Sequence, residues 1–139
     1  MRTHPEAGVR IIDTLLTDAE LADLPQGTML RNIVRHHHEA LNGSGYPEGL
    51  AGDQIPPEAR ITAVADVFDA LTTRRPYKDP WSAERAFGFL SLRSGELFDS
   101  RCVEALVSSG EEVEEAMERF RDTHLLPVSE EDHFDSAPV

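Results

Sequence analysis

The order of apolar and polar positions predicts helices along nearly the whole chain. Val9, Ile12 and Leu16 recur at helical spacing behind Pro5, a residue suited to a first helical turn. Leu30, Ile33, Val34 and His37 repeat the pattern and predict a second helix from near Thr28. The strongest stripe is Ile61, Val64, Ala65, Phe68 and Leu71, in a third helix from about Pro57 to about Thr72. Ser82 is placed to cap a fourth helix, with Phe87 and Leu90 inside and Gly95 ending it. Asp99 is placed to cap a fifth that stops at Gly110, and 111–121 forms a sixth with Val113, Met117 and Phe120 on one face. Residues 42–57, NGSGYPEGLAGDQIPP, hold four glycines and three prolines and read as a loop. No segment reads as a strand, so the expected class is all-α.

Composition narrows the function. The 139 residues suit one compact domain, and 40% hydrophobic with 28% charged residues excludes collagen-like, mucin-like and fully disordered chains. No apolar run approaches the roughly 20 residues of a membrane span, and the first residues do not resemble a signal peptide. The single cysteine, Cys102, forms no internal disulfide and fits a reducing compartment. The expectation is a cytoplasmic protein with no membrane partner. A net charge of −13 repels polymeric nucleic acid. That charge is uneven: 111–139 contain ten acids and two arginines. The expected organisation is a domain over 1–124 and a flexible acidic tail over 125–139.

Four clusters could carry chemistry. His36, His37, His38 and Glu39 are consecutive. Adjacent helical residues point about 100° apart, so two histidines would face different ions or flank a close pair. A solvated polar run at a helix end is the other reading. Asp66 and Asp69 lie three apart in AVADVFDAL, so at least one carboxylate should approach the core and need a metal, a cation or a hydrogen-bonding partner. Asn42 to Pro47 form either a long turn or a loop that lets a ligand approach the backbone at Gly45, with Tyr46 against Pro47 offering a face to a base. Arg74, Arg75 and Lys78 form the one basic cluster, either an anion site or cations at a helix end. His4, His124 and His133 are weak signals alone, and Cys102 reads as a small core residue.

HPEAG at 4–8, HHEALNGSGYPEGLAG at 37–52, IPPEARITAVADVFDALTTRRPYKDP at 55–80 and GELFDS at 95–100 resemble the HD-GYP family in order and spacing. The resemblance covers roughly 4–107 and is most specific in 37–80. It implies a helical bundle that binds divalent metals, iron or manganese, and hydrolyses cyclic di-GMP to pGpG and GMP in bacterial signalling. It implies that His4, His37, His38 and Asp66 are metal ligands and that Asp69 supports the site. It implies that Gly45, Tyr46 and Pro47 line the nucleotide groove, and that Arg75 and Lys78 contact phosphate. Asp66, Asp69 and Lys78 would be the catalytic set.

One part of the family pattern is missing. No histidine in the sequence is followed by aspartate, so the dyad that names the family is absent. The expectation is a bundle incomplete at its N-terminus, inactive by itself, with an apolar face left exposed. Self-association would cover such a face. The alternative is a degenerate module that binds a cyclic dinucleotide, or a protein partner such as a diguanylate cyclase.

Overall fold

Prolines and capping side chains decide where the helices begin. A computed structural model describes residues 4–18, 24–75 and 79–123. Helix α1 spans His4–Asp18, α2 Pro25–His36, α3 Pro57–Thr72, α4 Ala83–Leu92, α5 Ser100–Ser108 and α6 Gly110–Thr123. A single 3-10 turn covers Gly52–Gln54. Among the described residues there are no strands; isolated bridges pair Asn42 with Ala51 and Ser94 with Phe98. The all-α expectation holds.

Helix α2 starts three residues earlier than the apolar pattern indicates, because Pro25 supplies its first turn. It also ends earlier: His37 is its C-cap rather than a member of its stripe. Ser82 caps α4, its side chain accepting the Arg85 N–H. That helix stops at Leu92, and Gly95, at φ 78°, belongs to the turn that follows. Asp99 caps α5 by accepting the Arg101 N–H at 2.9 Å. Helix α5 ends at Ser108, and Gly110 opens α6 instead of terminating α5.

The chain divides into two units, residues 1–108 and 109–139. Helix α6 therefore lies in the second unit. It carries Val113, Met117 and Phe120 at helical spacing among glutamates, with Phe120 exposed. The tail expected over 125–139 lies outside the described residues.

In the first unit α3 is the hub. It packs on α2, α4 and α5, while α1 packs on α2 and α4 on α5. Its buried face is Ala59, Ala63, Val64 and Phe68. This corrects the expected stripe: Ile61 is 59% exposed and Ala65 is exposed too. Size explains the difference. Ala59 and Ala63 let neighbouring elements approach closely, so the small residues take the core and rotate Ile61 outward. Ile55 and Leu90 are almost fully buried, each contributing roughly 1.5–3 kcal/mol. Phe68 stacks on Phe87 with centroids 5.2 Å apart.

Turned outward, Ile61 and Ala65 line an apolar groove of about 530 Å³ between α3 and α5, with Pro57, Val64, Cys102 and Leu106. Its wall presents mainly apolar side chains to solvent. Cys102 is half-buried on its wall, not in the core. Burial, helped by the charge of Asp99, pushes its thiol pKa up, so it stays a neutral thiol.

Beside the groove, a buried ion pair ties α3 to the start of α5. Arg60 Nη1 donates to Asp99 Oδ2 at 2.7 Å, with side-chain exposures of 10% and 8%. Arg101 adds a longer contact to the same oxygen at 3.3 Å. Burial alone would raise the Asp99 carboxyl. Hydrogen bonds from the Arg101 side chain and backbone, with the charges of Arg101 and Arg60, outweigh it and hold the pKa below the ordinary value. A lowered folded pKa stabilises above the unfolded value, about 3.9, and that contribution is lost as pH falls through the folded value.

Asp99→Ala removes the helix cap and leaves the buried Arg60 charge with the longer contact to exposed Asp53, at 3.4 Å. Urea unfolding at neutral pH should show a loss of about 3 kcal/mol. The gap between wild type and variant should shrink as pH drops below about 3.9. A gap constant through that acid range would contradict this assignment.

Candidate functional site

The end of α2 turns sharply. The Glu39 N–H donates to the His36 carbonyl at 2.9 Å, so His37 and His38 project from a turn rather than from a helix. The helical ladder reaches His37, whose N–H donates to the Ile33 carbonyl at 3.1 Å, and His38 lies beyond it. Their rings lie 4.0 Å apart, tilted by 41°. His36, the last helical residue, is buried, and its Nδ1 makes no hydrogen bond.

His37 Nδ1 lies 2.9 Å from the Ile33 carbonyl and 3.1 Å from that of Val34. A carbonyl only accepts, so Nδ1 is the donor and Nε2 is the nitrogen left to act as a ligand. Metal-binding histidines are held in this way, by a backbone acceptor on the opposite nitrogen.

The glycine-rich loop returns onto this turn. The Tyr46 N–H donates to the His38 carbonyl at 3.2 Å, and the Tyr46 ring stacks on His38 with centroids 4.8 Å apart and planes at 21°. The Tyr46-Pro47 peptide is cis. Gly45 makes the approach possible. A Cβ there would sit 2.3 Å from the Ala40 nitrogen and 2.5 Å from both the Glu39 Cα and the His38 carbonyl oxygen. Those neighbours are backbone, which has no rotamer with which to yield.

Glu39 fastens the far side of the loop. It is 5% exposed; its Oε1 accepts the Glu48 N–H at 2.8 Å and its Oε2 the Leu50 N–H at 3.0 Å. Outside, Arg35 pairs with the Glu48 carboxylate at 2.7 Å. The loop's base is tied down where Leu41 N–H donates to the Leu97 carbonyl and Gly52 N–H to that of Leu41, both at 2.9 Å. The sequence indicated Glu39 only as the end of a polar run. The signal for its role is a glutamate directly ahead of a loop rich in glycine, whose N–H groups need an acceptor.

The other site residues are placed less closely. Asp66 and Asp69 are both exposed on α3, which corrects the expectation that one approaches the core. The small-residue face takes the interior and leaves both carboxylates in solvent. Asp69 Oδ1 accepts the Thr73 hydroxyl at 2.9 Å, an end-of-helix contact. Among the described residues, no three His, Cys, Asp or Glu side chains are grouped so as to hold a metal. His37 and His38 are thus brought together, without Asp66 completing a set of three. The donor types suit a divalent metal, and His37 has the correct tautomer; a full coordination shell is not assembled by these residues. Pro47 is half-buried beside Tyr46, and Arg75 is exposed beyond α3. Lys78 and the His4 side chain lie outside the described residues.

Residues 1–102 match the HD domain family. The chain is similar to the cyclic di-GMP phosphodiesterase response regulator RpfG of Xanthomonas campestris, 42% identical over 127 residues, covering 91% of this chain and 32% of that protein. It is similar to the 3'3'-cGAMP-specific phosphodiesterase 2 of Vibrio cholerae, 41% identical over 112 residues, covering 81% of this chain and 20% of that one. A cyclic di-GMP phosphodiesterase of Thermotoga maritima is 37% identical over 122 residues, with coverages of 88% and 31%. The chain spans about a third or less of the length of these relatives.

Gly45→Ala places a methyl against three backbone atoms. Urea unfolding should show a loss of roughly 1–3 kcal/mol. Nuclear Overhauser contacts between the Tyr46 and His38 rings should disappear in the variant. Retention of both stability and ring contact would contradict the close approach described.

Proposed function

Because the chain belongs to the HD domain family, in its HD-GYP form, we propose that it is part of a metal-dependent phosphodiesterase acting on cyclic di-GMP. The observation that carries this reading is the cluster of His37, His38 and Tyr46, two imidazoles and an aromatic face held together by one turn and one loop. The curated relatives, named as cyclic di-GMP or cGAMP phosphodiesterases, support the substrate class.

In this reading His37 and His38, with Asp66 and His4, belong to the set that holds the ion, iron or manganese. A bound ion would supply an activated water and withdraw charge from phosphorus. The chain's own residues do the remaining work. Tyr46 and Pro47 present the apolar side of the loop to a guanine ring, and Gly45 keeps the backbone low enough for it to enter. Arg75 and Lys78 neutralise the phosphodiester, with Arg75 suited to a two-point contact. Asp69 supports the end of α3 through Thr73.

A second reading is a degenerate module that binds a cyclic dinucleotide without cleaving it, or binds a protein such as a diguanylate cyclase. Two observations favour it for this chain alone: the sequence has no His-Asp pair, and the described residues gather no three metal ligands. The apolar groove between α3 and α5 supports self-association. Among the described residues no helix is long and apolar enough to cross a membrane.

Purified chain with manganese or iron should produce no pGpG from cyclic di-GMP above a His38→Ala control. Calorimetry should detect weak binding of the nucleotide, weakened about tenfold by Arg75→Ala, the effect of losing one charge-assisted contact, and weakened further by salt. Metal-dependent pGpG formation that vanishes in Asp66→Ala would show that these residues suffice for catalysis. No binding by wild type would remove the nucleotide reading.

A further inference from the structure

We propose that Glu39 is a positioning residue: its buried carboxylate fixes the tyrosine loop, and through the loop it sets the ring of His38. Both Glu39 oxygens are engaged by backbone N–H groups, those of Glu48 and Leu50, and the residue is 5% exposed. It is not disposed to reach an ion or a substrate from there. Between the two donors Gly49 holds φ 68°, a left-handed conformation that turns neighbouring N–H groups toward one anion. A carboxylate suits this position better than an amide, because it offers two acceptor oxygens and no donor.

The loop runs between two fastenings. At one end, Gly45 lies against the backbone of residues 38–40, and the Tyr46 N–H donates to the His38 carbonyl. At the other, residues 48 and 50 are held by Glu39. The Tyr46 ring between them lies on His38 at 4.8 Å. Freeing one fastening lets Pro47 and Tyr46 move as a unit, so the Glu39 side chain governs an imidazole through the loop. The consequence for metal or nucleotide chemistry rests on the reading proposed above; the mechanical link does not.

The test is NMR of the full chain labelled at histidine and at backbone nitrogen, without added metal or nucleotide. Glu39→Gln keeps the size of the side chain but supplies only one acceptor oxygen. It should move the His38 ring resonances in the same direction as Tyr46→Leu and speed exchange of the Glu48 and Leu50 amides at least about tenfold. Tyr46→Phe, which keeps the ring, should leave His38 at its wild-type position. Val103→Ala, a cavity in α5 remote in sequence from the loop, should lower the melting temperature without moving His38. If Glu39→Gln does not fold, Gly49→Ala serves instead. It strains the loop at an exposed position, leaves Glu39 intact, and should move the same His38 resonances. His38 unchanged in the folded loop variant, or moved equally by Val103→Ala, would overturn the proposal. Because the readout uses neither ion nor nucleotide, a chain that fails to bind either removes the functional reading and leaves this result standing.

Discussion

A buried carboxylate holds the loop that distinguishes this chain. Sixteen residues rich in glycine and proline have little hydrophobic content with which to hold one conformation. They are fixed because Glu39, buried at the end of α2, accepts two of their N–H groups, and because Gly45 permits backbone to lie on backbone. The His37–His38–Tyr46 cluster follows from that closure. A second buried carboxylate, Asp99, lines the same small cavity as Glu39, beside Arg60 and Ala63, and acts in a similar way, capping α5 while pairing with Arg60. The first half of the hub helix thus lies beside two buried carboxylates, each accepting backbone N–H groups.

Much of the fold was legible because its punctuation is chemical. Pro57 opens α3 and the helix ends at Thr72, as the apolar run indicates. Ser82 and Asp99 cap as their positions lead one to expect. The loop was legible from its glycines and prolines. The buried face of α3 was not, because the pattern weights bulky residues and close packing favours Ala59 and Ala63. That rotation exposed Ile61 and left Asp66 and Asp69 in solvent. His37 and His38 were legible as candidates, but their mutual geometry was not. The helical ladder ends at His37, and the turn beyond it carries His38 against Tyr46 of the loop, which no spacing indicates.

The site divides in the same way. Residue types and order point to HD-GYP chemistry, and the family match agrees over residues 1–102. Tertiary structure adds what no spacing contains: a fixed tautomer at His37, an aromatic neighbour for His38, and a carboxylate reserved for the loop. It also separates the tasks. Glu39 is committed to backbone, Asp69 to the end of α3, and the His38 ring to Tyr46.

The most direct test of this account is a crystal of the chain soaked in manganese, with the ion located by anomalous scattering. The account predicts an ion held through His37 Nε2, with Nδ1 still donating to the Ile33 carbonyl and the His38 ring against Tyr46. An ion bound through His37 Nδ1, or one that ignores the histidine pair and settles elsewhere in the first unit, would contradict it.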